Sequence, residues 1–77
     1  MEALLEYLAR AIVDEPDDVE VDSFEEEDGT LVLELRVADD DVGKVIGRNG
    51  RTVNALRAVV RASAVKQGRR VLVDVVD

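Results

Sequence analysis

Gly47-Arg48-Asn49-Gly50, with Val45-Ile46 before it and Arg51-Thr52-Val53 after it, is the stretch of this 77-residue chain best suited to a chemical task. A Gly-x-x-Gly turn lets the backbone approach a ligand closely, because neither glycine carries a Cβ. A helix that begins directly after such a turn presents unpaired N–H groups and the positive end of its dipole to the same place. The ligand that suits this combination is an anionic sugar-phosphate strand. The same spacing also fits an ordinary link between two helices closed by a glycine cap. Its surroundings favour the anion: Lys44, Arg48 and Arg51 lie in or beside the turn, and Arg57 and Arg61 follow. Gly47, Arg48, Asn49, Gly50, Lys44, Arg51, Asn54 and Arg57 are therefore the candidate ligands, with Val53 as an apolar contact for a base.

Other chemistry has little material. The chain has neither histidine nor cysteine. It thus lacks the commonest general base and metal ligand, thiolate nucleophiles and any disulfide frame. Nucleophilic or acid–base catalysis would fall to Ser23, Ser63 and carboxylates, and Ser63 falls on the core side of its helix. Asp39-Asp40-Asp41 reads as helix capping in preference to a cation site. The expectation is a protein without catalytic residues, metal or cofactor.

Charge is divided along the chain. The net charge is −8 and the isoelectric point is near 4.4, which taken alone argues against a nucleic-acid partner. Residues 1–41, however, hold 16 acids and 2 bases, whereas residues 42–77 hold 2 acids and 8 bases. Basic charge begins where the glycine turn begins, which points to a polyanion site on one face.

The elements that must position the turn can be read from period and punctuation. Leu5, Leu8 and Ile12 share one face of a helix over 2–13, and Pro16 stops it. Val19-Glu20-Val21-Asp22 alternates as a strand and continues to about Glu26, with Ser23-Phe24 out of phase. Asp28-Gly29 marks a hairpin turn. Thr30 to Val37 places Leu31, Leu33, Leu35 and Val37 on one face. Asp39–Asp41 supply N-cap candidates for a short helix ending at Ile46. A longer helix spans about 51–67, with Val53, Leu56, Val59, Val60, Ser63 and Ala64 on one arc and Asn54, Arg57 and Arg61 on the next. Val45, Ile46, Val53 and Leu56 are assigned mainly to packing. Gly68 closes the long helix, and Val71–Val76 forms a last strand. The order is α-β-β-α-α-β: an α+β fold, a three-stranded sheet with helices packed on one face.

This order, with Gly-x-x-Gly between the second and third helices, resembles the type II KH domain of bacteria. The resemblance extends to residues. Asp41-Val42-Gly43-Lys44-Val45-Ile46-Gly47-Arg48-Asn49-Gly50-Arg51-Thr52-Val53-Asn54-Ala55-Leu56-Arg57, and the tail Gly68-Arg69-Arg70-Val71, are similar to the small stand-alone KH proteins of the KhpA family. Arg48 stands where lysine is common in that family, and it keeps the charge. The resemblance implies one KH domain over 1–77, clamping about four nucleotides of single-stranded RNA between the glycine turn and the adjacent helix. It further implies a cytoplasmic setting, a homodimer, and in some bacteria a heteromer with a Jag-type (KhpB) KH protein. The implied role is a broad-specificity RNA chaperone or post-transcriptional regulator. The alternative is an adaptor with a KH fold, for which RNA binding is secondary.

Further expectations complete the reading. Tyr7 and Phe24 are the only aromatics, too few for a stacking platform, so base recognition would rest on apolar contact, backbone shape and hydrogen bonds. One short site should bind in the micromolar range, ~8 kcal/mol, raised by dimerisation. A chain this small buries roughly 60 per cent of its unfolded surface, and with 47% hydrophobic residues a homodimer is expected. No apolar run approaches the ~18 residues of a membrane span, and the N-terminus lacks the basic start of a signal peptide.

Overall fold

The hairpin at Asp28–Gly29 sets the sheet. Gly29 adopts φ +87°, and its amide donates to the Glu26 carbonyl at 2.9 Å. The Asp28 carboxylate accepts from the Thr30 amide at 2.9 Å. That bond, with the Thr30 hydroxyl, holds the Asp28 carboxyl below the usual carboxylate range. In a computed structural model, which describes residues 1–76, the turn joins β1 (Glu20–Glu25) to β2 (Leu31–Arg36) as antiparallel neighbours. The final strand, β3 (Val71–Val76), lies parallel to β2, so the sheet order is β1-β2-β3.

Three helices cover one face of this sheet. They are α1 (Glu2–Ile12), α2 (Val42–Ile46) and α3 (Arg51–Lys66). Leu5 and Ala9 of α1, Val45 of α2, and Leu56, Val60 and Ala64 of α3 meet Leu33, Leu35, Val71 and Val73 in one core. The strict pleat resolves the apparent phase break in β1. Ser23 pairs with Leu33 on the helix side, while Phe24 pairs with Val32 and points the other way, 49% exposed. Gly68 ends α3 as expected: it adopts φ +69°, its amide donates to Val65 and the Arg69 amide donates to Ala64, both at the carbonyl. This is the double closure of a Schellman cap.

Three expectations are corrected. Asp39–Asp41 form a single 3-10 turn, and no side chain caps α2. Asp41 turns away from the helix it precedes. Its carboxylate, buried at 1% exposure, accepts from the amides of Asp14 (3.2 Å) and Glu15 (3.0 Å), where the chain leaves α1. The chain has just left α1 there, so those donors have no helical acceptor, and a carboxylate satisfies both. Val59, read as core, is 45% exposed, and Ile46, read as packing, is 39% exposed. Each sits at the margin of an apolar arc that is wider than the surface beneath it.

Asp41 therefore ties α1 to α2 across 26 and 27 residues of chain. Asp41→Ala would leave two amides without their acceptor and should destabilise the fold by about 2 kcal/mol, lowering Tm by roughly 10 °C. Asp41→Asn, which keeps one carbonyl acceptor, should lose about half as much. A circular dichroism melt of the two variants checks the order; equal stability of all three proteins would remove this tie from the account.

Candidate nucleic-acid interface

The turn between α2 and α3 has a backbone that few sequences can adopt. Gly47 takes φ 76°, ψ 168°, a region open almost only to glycine. Asn49 (φ 59°, ψ 24°) and Gly50 (φ 75°, ψ 13°) follow in left-handed conformations. Asn49 is the one non-glycine residue with positive φ among those described, and asparagine tolerates that conformation better than most residues. Its identity thus has a conformational reason that residue type alone did not reveal.

Gly47 is held by contact as well as by torsion. A Cβ there would sit 2.7 Å from the Cβ and 2.8 Å from the amide nitrogen of Thr52, and closer still to its hydroxyl. Gly50 is looser: a Cβ would meet only Asn54 Nδ2, at 3.7 Å. The two glycines differ in kind, one packed against the start of α3 and one merely left-handed.

The side chains sort into four groups. Arg48 and Asn49 are exposed at the tip of the turn, with Arg51 exposed at the first position of α3. No side chain caps α3 at Gly50, so the first-turn amides face the turn without a protein side chain as acceptor. Arg57 and Asn54 are joined to each other. Arg57 Nη1 donates to Asn54 Oδ1 at 3.2 Å, and Arg57 Nε donates to the Val73 carbonyl at 3.1 Å, clasping α3 to the outer edge of β3. Lys44 is drawn toward the end of α1. Its ammonium pairs with Asp14 and lies 4.0 Å from Asp41 Oδ1. The Asp14 carboxylate holds the Lys44 amine above the usual lysine range, so it stays charged. Val53 is 6% exposed, and its side chain is turned to packing.

Ion pairing divides the bases into two sets. Arg10, Arg36, Lys44 and Arg69 each have a carboxylate within reach. Among the described residues, Arg48, Arg51, Arg57, Arg61, Lys66 and Arg70 have none, although the chain carries 18 acids. Four guanidinium groups on the turn and α3 are left without a protein anion. Ile46, partly exposed beside them, adds an apolar surface that the period-based reading assigned to the core. No group of three or more acidic side chains suited to a metal ion occurs among the described residues.

A family model described as KhpA/KhpB, KH domain matches residues 2–75. The chain belongs to that family. It is 55% identical over 78 residues to the RNA-binding protein KhpA of Halalkalibacterium halodurans, covering all of both chains. It is 57% identical over 77 residues to the RNA-binding protein KhpA of Streptomyces coelicolor, covering 100% of this chain and 92% of that one. With the KhpA of Clostridium acetobutylicum it shares 46% identity over 76 residues, 99% of this chain and 100% of the relative. The fold is also similar to part of Era, solved in complex with MgGDPNP and nucleotides 1506-1542 of 16S ribosomal RNA. That likeness has a TM-score of 0.65 at 18% identity, and covers 96% of this chain and 28% of the Era chain. The α-β-β-α-α-β order and mixed three-stranded sheet are those of a KH fold, as the sequence led us to expect.

The unequal roles of the two glycines give a measurable contrast. Gly47→Ala meets both the torsional barrier and Thr52, and should cost about 3 kcal/mol or more. Gly50→Ala meets only the left-handed penalty, about 1–2 kcal/mol. Chemical denaturation with urea should rank them in that order; equal losses would mean that Thr52 does not pack as described.

Proposed function

We propose that the chain binds single-stranded RNA by clamping about four nucleotides between the Gly47–Gly50 turn and the first turns of α3. The observation that carries this reading is the set of unmatched arginines around the turn. Arg48, Arg51 and Arg61 are exposed with no carboxylate in reach, so their charges are open to an external anion in a protein whose net charge is −8. Phosphates at the turn would meet Arg48, Arg51 and the uncapped amides of α3 together. Asn54 and Arg57 line the next turn of the same helix, with Ile46 as apolar surface for a base. The relatives named as RNA-binding proteins support the same reading.

The wider proposal follows the family. One KH unit acts in the cytoplasm as a broad-specificity RNA chaperone or regulator, as a homodimer or with a KhpB-type partner. Val59 and Val65 support self-association: both lie on α3 and are 45% and 76% exposed. No helix among the described residues is long and apolar enough to cross a membrane.

Two outcomes follow. Binding should be salt-dependent: with three or four phosphates engaged, affinity should fall roughly 20- to 50-fold between 50 and 200 mM salt, and duplex should bind more weakly than single strand. Arg48→Asp combined with Asn49→Asp should abolish binding with little change in the melt, because both side chains are exposed and aspartate also tolerates the left-handed conformation at 49. An unchanged melt with unchanged RNA affinity would refute the clamp. Separately, sedimentation equilibrium at tens of micromolar should show a species heavier than 8.5 kDa; a monomer alone would refute the dimer.

A further inference from the structure

The face of the sheet opposite the helices carries an ordered pattern that folding does not require. Phe24, Val32 and Leu72 stand directly opposite one another across the three strands. Val32 is buried, at 4% exposure, yet it lies on the far side of the sheet from the core, between its two cross-strand neighbours. Phe24 and Leu72 are 49% and 45% exposed. The next row along the strands is Asp22, Glu34 and Asp74, again directly opposite one another. Like charges in such positions destabilise a sheet. Only Asp22 is relieved, by Arg36 Nη1 at 2.9 Å. Glu34 and Asp74 have no cation within reach among the described residues.

The geometry points to this open sheet face as a docking surface for a basic, extended segment of another protein. The occupant is read from complementarity. Rows two residues apart along a strand are separated by roughly 6.6–6.8 Å, the spacing of side chains i and i+2 on one face of an extended chain. A segment lying along the strands with an apolar residue at i and a lysine or arginine at i+2 places the first on Phe24 and Leu72. The second then sits over Glu34 and Asp74. Such a partner covers the apolar row and relieves the repulsion that the free protein carries. RNA does not fit here, since its phosphates would face the carboxylate row. A second copy of this chain stacked row on row fits less well, since it would bring the same three carboxylates against these with only its Arg36 to offset them. The surface is on the sheet side, away from α3, so both could be occupied together.

The test is a 15N-resolved NMR titration of the full chain with two synthetic peptides of equal charge. One is Leu-Ser-Lys-Ser-Leu-Ser-Lys, and the other has serine in place of each leucine. The leucine peptide should shift the amides of Phe24, Val32, Glu34, Leu72 and Asp74 and leave Gly47–Arg51 unmoved. Phe24→Ser, which changes no charge, should weaken it about fivefold, as expected when an aromatic anchor is lost. Glu34→Gln, nearly isosteric, should weaken it by a similar factor, which guards against a folding defect in the first variant. The serine peptide should bind at least about tenfold more weakly. Equal binding of the two peptides, shifts spread over Asp17, Asp18, Asp39 and Asp40, or no shift at millimolar peptide would each overturn the proposal. So would a dimer that Phe24→Ser dissociates, or RNA-induced shifts on this face.

Discussion

The arrangement depends on one close approach, that of Thr52 to the backbone of Gly47. Because no Cβ intervenes, the first turn of α3 comes within van der Waals distance of the end of α2. That contact fixes the angle at which α3 departs, and α3 in turn supplies Leu56, Val60 and Ala64 to the core. The same contact forces the intervening residues outward. Arg48 and Asn49 have no inward path, so they become the tip, and the amides that open α3 are left facing the same space. Packing and binding therefore share a cause at this turn: the residue that allows the helices to meet is also the one that exposes backbone to a ligand.

Charge is distributed by the same economy of faces. Acids pair with the two bases of the first half, with Lys44 and with Arg69 before β3, as in Arg36 with Asp22 and Arg69 with Glu25. Asp41 is used internally, where its carboxylate satisfies the amides of Asp14 and Glu15. The arginines of the turn and α3 lie outside this network. A chain with so large an excess of acid thus keeps a local positive field, and the net charge describes neither face. The sheet side is its complement, with carboxylates beside apolar residues.

Much of the fold was legible because it rests on period and punctuation. The three-residue alternation in Leu31-Leu33-Leu35, the turn at Asp28-Gly29 and the cap at Gly68 each have a local cause, and each element lies within a residue or two of its expected bounds. What was not legible depends on distant partners. Asp41 reads as a helix cap until the end of α1 is brought against it. Lys44 reads as part of a basic cluster until Asp14 arrives from 30 residues away. Ile46 and Val59 read as core because periodicity counts apolar residues and cannot see how much surface lies below them. At the turn, Gly-x-x-Gly and its arginines were visible in the residues, but the left-handed state of Asn49 and the inequality of the two glycines were not, since both arise from the path of the backbone.

The most direct measurement is a 15N-resolved NMR titration of the chain with a short single-stranded RNA oligonucleotide at low salt. The account predicts that the largest shifts fall on the amides of Gly47 through Asn54, with the Arg57 Nε resonance moving as well and the amides of Glu34 and Asp74 unmoved. Shifts confined to the sheet face or to α1, with the amides of Gly47–Asn54 unchanged at saturating RNA, would contradict it.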